Sequence, residues 1–307
     1  MISPGPEAKP DGVLIVDKPS GATSHDIVAQ ARRIFRTRDV GHAGTLDPMA
    51  TGVLLLLFGE ATKLSGFLTR NGKRYRATVA LGRATNTLDA DGETTEVVAL
   101  PEAGVSSSAI EAALYAELAR ELQVPPAVSA IKVDGQRSYA LARAGEAPEL
   151  APRAVHLAAL TLLGRTESTL TVELSASKGY YVRAFARDVG VHLGLPAHLT
   201  ELRRLASGQF ELTRACSWPA PPETALIATA EAARLTLPVA ELTETGERRA
   251  RLGQPLVEAD FSVRPSTAAN ENEAEAWFGA EGRLIALGHE RAPGDFRVQR
   301  GFRLPVA

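Results

Sequence analysis

Continuous and periodic runs of apolar residues define the first part of the chain. Residues 12–19 and 53–57 form short, nearly continuous apolar runs, which predict buried strands. Residues 25–35, HDIVAQARRIF, repeat apolar side chains at helical spacing, and Ser24 before them is the predicted N-cap. Polar and apolar residues alternate over Lys73–Leu81, which is the pattern of a strand with one buried face.

The same patterns extend to about residue 240. They predict further helices and strands, in chain order a helix over 60–68, a helix over 106–122 capped by Ser106 or Ser107, strands over 155–163 and 169–176, a helix from 182 onwards and a strand within 198–212. From about Glu244, short alternating stretches and glycines predict a small β domain without a long helix. The mixture of strands and helices predicts an α/β (α+β) protein.

Proline-rich boundaries divide the chain. We expect residues 1–11 to be a disordered tail, 12–240 to be the main domain and 244–307 to be a second domain. Prolines open and close a polar, basic insert over 124–153, which suggests a loop that moves or docks as a unit. Residues 268–282 are acidic and are predicted to be a surface insertion.

Composition excludes several classes of protein. Apolar residues make up 45% and charged residues 23% of the 307 residues, as in globular proteins with a substantial core. We expect no signal peptide and no membrane span, since no segment approaches the roughly 20 apolar residues that a span needs. The single cysteine, Cys216, excludes an internal disulfide, and the six histidines show no metal-binding spacing. The prediction is a cytoplasmic, metal-free monomer.

The distribution of charge favours a nucleic-acid partner although the net charge is −2. Residues 16–76 contain ten Lys/Arg and five Asp/Glu, whereas residues 85–122 contain one and eight. A basic surface of this kind is the electrostatic footprint of phosphate binding. Solvated charged faces without a ligand are the alternative.

The loop GHAGTLDPMATG, residues 41–52, is the main candidate for chemistry. It leads into the apolar run and carries one acidic side chain, Asp47, whose backbone is restricted by Pro48. A carboxylate held on a stiff loop can act as a nucleophile or base. An ordinary Asp-Pro turn is the alternative.

Two further residues have both a functional and a structural interpretation. Lys18 follows a predicted strand and is either a site residue or a surface lysine. Tyr75 lies between two arginines, so it either stacks on a base or packs at a strand edge. No GxGxxG, Walker loop or Ser-His-Asp set is present, so we expect no cofactor.

Four ordered segments resemble the bacterial tRNA pseudouridine synthase B family. The segments are residues 12–24 (GVLIVDKPSGATS), 41–54 (GHAGTLDPMATGVL), 73–82 (KRYRATVALG) and 177–183 (SKGYYVR). The resemblance implies the pseudouridine synthase fold, with a mixed, largely antiparallel sheet flanked by helices and a C-terminal PUA-like RNA-binding domain. It also implies isomerisation of uridine-55 in the T loop of tRNA without a metal or cofactor.

The resemblance further implies the roles of individual residues. Asp47 would be catalytic, Tyr75 would stack on the base, and Arg183 would keep Asp47 charged. The remaining predicted contacts to substrate are Lys18, Pro19, His42, Asp89, Lys132, Arg143, Tyr181 and Leu202. The insert 124–153 would be the thumb that closes on the T stem-loop.

Two residues depart from the family pattern. Asn86 stands where relatives often have aspartate, and Tyr180 stands where a small hydroxyl residue is usual. Two alternative functions also stay open, a tRNA-folding chaperone that need not catalyse and a synthase that acts on another RNA. The two activities, isomerisation and assistance to tRNA folding, can coexist in one protein.

Overall fold

A computed structural model describes residues 9–128, 132–133, 136–137, 150–219, 225–264 and 274–303. Their strands are, in chain order, β1 Gly12–Lys18, β2 Val40–Ala43, β3 Thr51–Phe58, β4 Lys73–Leu81, β5 Arg83–Thr85, β6 Thr94–Val97, β7 Leu122–Gln123, β8 Lys132–Val133, β9 Gln136–Arg137, β10 Arg153–Ala154, β11 Leu157–Arg165, β12 Thr169–Ala176, β13 Ala197–Ser207, β14 Phe210–Glu211, β15 Cys216–Ser217, β16 Val239–Leu242, β17 Phe261–Val263, β18 Glu275–Phe278, β19 Leu284–Ala292 and β20 Asp295–Gly301. Their α-helices are α1 Ser24–Ile34, α2 Ser65–Leu68, α3 Ser107–Leu118, α4 Val182–Leu193, α5 Thr229–Thr236 and α6 Glu244–Arg251.

The larger sheet is mixed but largely antiparallel, as predicted. Its strands follow the order β11–β12–β4–β13–β3–β1–β15, with β14 beside β13 and β2 beside β3. The β13–β3 and β1–β15 pairs are parallel, and the other pairs of this sheet are antiparallel. Strands β1 and β3 therefore lie next to each other although 32 residues separate their ends in sequence.

Strands β1 and β3 are buried on both faces, which explains their continuous apolar sequences. On one face, Leu14 and Leu54 pack in a cluster with residues of α1, α3 and α4. On the other, Val13 and Leu55 pack in a cluster with α5 and with the C-terminal sheet. Both sides of the central sheet are thus covered, as expected for strands of this composition.

Helix α1 begins at Ser24, one residue earlier than predicted. Thr23, not Ser24, is the N-cap, because Thr23 and Asp26 form a reciprocal capping box. The Ser24 hydroxyl is buried and instead accepts from the Leu46 amide at 2.9 Å and donates to the Leu46 carbonyl at 3.2 Å. The predicted cap residue therefore fastens the loop that contains Asp47.

Several other predictions are confirmed with shifted ends. Ser106 caps α3, which ends at Leu118 rather than 122. The helix predicted over 60–68 is a 3₁₀ helix, Gly59–Leu64, followed by the single turn α2. The strand predicted within 198–212 is β13, which a turn separates from β14. Of the insert 124–153, residues 129–131, 134–135 and 138–149 lie outside the described part.

The C-terminal sheet has the order β17–β16–β18–β19–β20. Its strand β16, Val239–Leu242, spans the predicted boundary at residue 240 and pairs with β17 and β18, so this unit begins near Val239. Helix α6 follows directly, in a segment where short strands and turns were expected. Lys63 Nζ donates to the Gly301 carbonyl at 2.7 Å, which ties this sheet to the 3₁₀ helix Gly59–Leu64 after β3. No helix in the described ranges is long and apolar enough to span a membrane.

Candidate active site

Strand register brings four site residues into one row across the larger sheet. Lys18 of β1 is opposite Gly52 of β3, Gly52 is opposite Arg204 of β13, and Arg204 is opposite Tyr75 of β4. These residues are far apart in sequence, yet neighbouring strands lie only about 4.8 Å apart. The loop that carries Asp47 enters β3 at this row.

Asp47 forms a bidentate ion pair with Arg183. Arg183 Nε donates to Asp47 Oδ2 at 2.9 Å, and Nη2 donates to Oδ1 at 3.2 Å. The Asp47 side chain is 34% exposed, whereas that of Arg183 is 6% exposed. The carboxylate is therefore accessible from one side and fixed from the other.

Further acceptors hold the Arg183 guanidinium in place. Nη1 donates to the Thr87 carbonyl at 2.8 Å and Nη2 to the Val128 carbonyl at 3.0 Å. The buried Asp89 carboxylate lies 3.6 Å from Nε. Burial raises the pKa of Asp89, although hydrogen bonding by Thr87 and the charge of Arg183 oppose this rise. Asp89, which the sequence assigned to substrate contact, thus faces Arg183.

Lys18 is fully buried, so the interpretation as a surface lysine is wrong. Its Nζ donates to the carbonyls of Pro19, Ala22 and Pro48 at 2.7–3.1 Å. Burial lowers the pKa of Lys18 to about 8, while the charge of Asp47 acts in the opposite direction. Lys18 therefore ties the turn after β1 to the residue that follows Asp47.

Arg204 holds the opposite side of the same loop, and the sequence only placed it on a strand. It is 1% exposed, and its guanidinium donates to the carbonyls of Val53, Gly44 and Thr45 at 2.6, 2.9 and 3.4 Å. Burial lowers the pKa of Arg204, and its charge and hydrogen-bond interactions with Tyr75 counteract this. The signal in the sequence was an arginine at a core position of an alternating strand, whose donors need buried acceptors.

The described residues among the remaining predicted contacts lie on several different elements. Tyr75 is half-buried on β4, and Leu202 is buried two residues before Arg204. Tyr181 is the N-cap of α4, and Pro19 is exposed beside Lys18. Lys132 is described only as backbone of β8, and Arg143 lies outside the described residues.

His42 lies on β2, just before the loop that carries Asp47. Its ring packs edge-on against His25, with ring centroids 5.3 Å apart. Burial and the neighbouring His25 lower the pKa of His42, which favours its neutral form. Within the described ranges, its buried Nδ1 has no hydrogen-bond partner.

Both residues that depart from the family pattern are hydrogen-bonded or buried within the protein. Asn86 Oδ1 accepts from the Glu93 amide at 3.0 Å, which closes the acidic turn. Tyr180 is buried just before α4, and burial raises its pKa. In the described residues, no three His, Cys, Asp or Glu side chains form a cluster that could hold a metal.

Comparison with known proteins identifies the family of this chain. The family of TruB pseudouridylate synthases matches through its N-terminal domain over residues 32–182. A tRNA pseudouridine synthase B from Mycobacteroides abscessus is 44% identical over 90% of this chain and 91% of that protein. The chain belongs to the TruB family of pseudouridylate synthases. The enzyme of the same name from Cutibacterium acnes is 46% identical over 90% of this chain and 92% of its own length.

Solved structures share the fold of this TruB-family chain at low sequence identity. One is described as a Cbf5-Nop10-Gar1 complex, with a TM-score of 0.73 and 23% identity over 95% of this chain and 85% of that chain. Another is an H/ACA RNP bound to a substrate RNA that contains 2'-deoxyuridine, with a TM-score of 0.72 and 21% identity over the same shares. The pseudouridine synthase fold that the resemblance implied is therefore confirmed.

Proposed function

We propose that this chain isomerises uridine to pseudouridine in tRNA and that Asp47 performs the reaction. The observation that carries this proposal is the Asp47–Arg183 pair, in which a partly exposed carboxylate is held by a buried guanidinium that also donates to two backbone carbonyls. A bidentate pair of this kind fixes the direction of the carboxylate. Membership in the TruB family supports the reaction class.

The surrounding residues have distinct proposed roles. Arg183 aims the Asp47 carboxylate, and Asp89 orients Arg183. Tyr75 stacks on the target base, while Leu202 and Tyr181 form the wall of the pocket. Lys18 and Pro19 support the loop, and His42 occupies the space that the flipped base leaves. Lys132 and Arg143 of the insert contact RNA phosphates.

The reaction breaks the bond between N1 of the base and C1′ of the ribose and forms a bond between C5 and C1′. The C5 proton leaves and N1 gains a proton, so oxidation state and composition are unchanged and no cofactor is needed. Asp47 adds to C6, attacks C1′ or removes a ribose proton, and each route uses the same ionised carboxylate. The uridine must leave its stack to reach Asp47.

The T loop of tRNA, at uridine-55, is the proposed target. The relatives are named as tRNA pseudouridine synthases, and residues 16–76 around the catalytic loop carry an excess of positive charge. We assign catalysis to the unit that begins at residue 12, closure on the T stem-loop to the insert 124–153, and further RNA contacts to the PUA-like C-terminal sheet. A monomer acting in the cytoplasm, where tRNA is present, completes the proposal.

T-arm hairpins with tritium at C5 of a single uridine test the target. We expect tritium release when uridine-55 carries the label and none when the label is at another uridine of the same hairpin. Unlabelled T-arm hairpin should suppress this release, whereas hairpins that present uridine in other sequences should not. Equal release from every labelled position would contradict the assignment of uridine-55.

A further inference from the structure

Helix α4 carries Arg183 in its first turn and has no capping box at its N-terminus. The N-cap, Tyr181, makes no side-chain capping bond, and the third helical residue is Ala184, which has no side-chain acceptor. In α1, by contrast, the third residue, Asp26, accepts from the N-cap amide of Thr23 at 2.9 Å. A capping box of this kind fixes where a helix begins.

Gln123 of β7 supplies the missing contact from another part of the chain. Its Oε1 accepts from the Tyr181 amide at 2.9 Å, and its Nε2 donates to the Tyr181 carbonyl at 3.2 Å. The Gln123 side chain is 1% exposed, so both bonds lie away from water. The two bonds together fix the backbone of Tyr181, which lies two residues before Arg183.

The residues after Gln123 are bound to the same helix. Arg187 Nη2 donates to the Val124 carbonyl at 2.9 Å, and Arg183 Nη2 donates to the Val128 carbonyl at 3.0 Å. A displacement of this segment would therefore move one of the acceptors that aim Arg183. Gln123 therefore joins the start of residues 123–128 to the N-terminus of α4.

The rest of α4 has separate attachments. Arg120, after α3, binds Glu117 in a bidentate pair and lies 3.8 Å from Asp188 Oδ2. His192 Nε2 lies 3.4 Å from Glu117 Oε1. These contacts fix the middle and C-terminal end of α4, whereas Gln123 acts at the end that carries Arg183.

We propose that Gln123 is a positioning residue for the Asp47–Arg183 pair. Its amide fixes the N-terminus of α4 and thereby the direction in which Arg183 holds the carboxylate. This inference rests on the proposed function, in which Asp47 performs the isomerisation. A misplacement of about 1 Å can lower a rate by about 100-fold, so a residue that touches no substrate can still control turnover.

Two substitutions in the full-length chain separate positioning from general stability. Gln123→Met keeps the length of the side chain and removes both bonds to Tyr181. We expect its single-turnover rate at saturating T-arm hairpin to fall by about 10- to 100-fold, with hairpin affinity unchanged within about twofold. The matched control is Gln30→Met, which removes the bond from Trp218 Nε1 to Gln30 Oε1 and should keep the wild-type rate.

Gln123→Glu adds a dependence on pH that a purely structural role would not produce. Position 123 is buried, and burial should raise the pKa of the new carboxyl group. Its protonated form can replace both bonds of the amide, whereas the ionised form cannot donate to the Tyr181 carbonyl. The rate relative to wild type should therefore fall as the pH rises, while the relative rate of Gln123→Met stays constant.

The outcomes distinguish this inference from the proposed function. Wild-type turnover by Gln123→Met, with Asp47→Asn inactive, would overturn the role of Gln123 alone. Inactive wild-type protein would instead overturn the proposed function. If Gln123→Met does not fold, a pH-independent relative rate of Gln123→Glu overturns the inference, and a falling one supports it.

Discussion

At the scale of single residues, the Asp47 carboxylate is partly exposed, whereas Arg183, which binds it, is buried. The cost of removing charges from water can exceed the attraction within a largely buried ion pair, so stability alone does not explain the Asp47–Arg183 pair. Arg183 instead has two carbonyl acceptors besides Asp47, which fix its guanidinium before substrate arrives. Preorganisation of this kind is what an aimed catalytic group requires.

Arg183→Lys tests this preorganisation. A lysine keeps the positive charge but lacks the planar fork that reaches Asp47 and two carbonyls together. We expect the single-turnover rate to fall by at least about 100-fold while T-arm hairpin affinity changes little. A rate within threefold of wild type would show that charge alone suffices.

Lys73 makes the free energy of unfolding depend on pH. Burial and the neighbouring charge of Arg204 lower its pKa from 10.5 to about 8. Between these two values the unfolded chain retains a proton that the folded chain has lost, so the free energy of unfolding rises with pH. Lys18, whose pKa is also lowered to about 8, contributes in the same direction.

Urea unfolding at about pH 7.5 and pH 9.5 measures this dependence. Lys73→Met should show a smaller rise in the free energy of unfolding than wild type, because the contribution of Lys73 is then lost. Lys9→Met, at an exposed lysine, should show the wild-type rise. Identical rises in all three proteins would contradict the lowered pKa of Lys73.

At the scale of elements, the register of four strands creates the site. The apolar runs and alternating segments in the sequence were sufficient to predict β1, β3, β4, β12 and the position of α1. They could not predict that Lys18 and Arg204 are buried on either side of Gly52, because pairing between distant strands leaves no local periodic signal. The motif resemblance located Asp47 and Arg183, whereas the support from Arg204 and Gln123 emerged only from packing.

Gly52 is the residue that permits this register. Its φ is +99°, and a Cβ at this position would lie 2.2 Å from the Arg204 carbonyl oxygen. We expect Gly52→Ala to lower the free energy of unfolding by about 2 kcal/mol or more, as measured by urea denaturation. Gly41→Ala, where a Cβ meets no atom within 4 Å, should leave stability nearly unchanged. Equal effects of the two substitutions would argue against the close contact at Gly52.

At the scale of the whole molecule, the C-terminal sheet packs against the larger sheet. Phe278 and Leu287 pack in the same apolar cluster as Val13 and Val53 of the central sheet. The sequence predicted a small β domain from its short alternating stretches. Its packing against β1 and β3 could not be predicted, since continuous apolar strands show that both faces are covered but not by which element.

The uneven distribution of charge predicts how RNA affinity responds to salt. Because Lys/Arg contacts to phosphate release counterions, T-arm hairpin affinity should fall by more than about tenfold between about 50 and 200 mM salt. Arg38→Gln, in the basic segment 16–76, should reduce the slope of this dependence. Arg165→Gln, on the edge strand β11, should not. A flat response in wild type would mean that the basic segment does not dock the RNA.

Tritium release from a T-arm hairpin labelled at C5 of uridine-55 tests the central claim most directly. Wild type and Asp47→Asn should be compared at saturating hairpin, without added metal or nucleotide, and hairpin binding should be measured in parallel. We predict release by wild type and none above background by Asp47→Asn, with both proteins binding the hairpin. Release by Asp47→Asn at the wild-type rate, or no release by wild type that binds the hairpin, would contradict catalysis by Asp47.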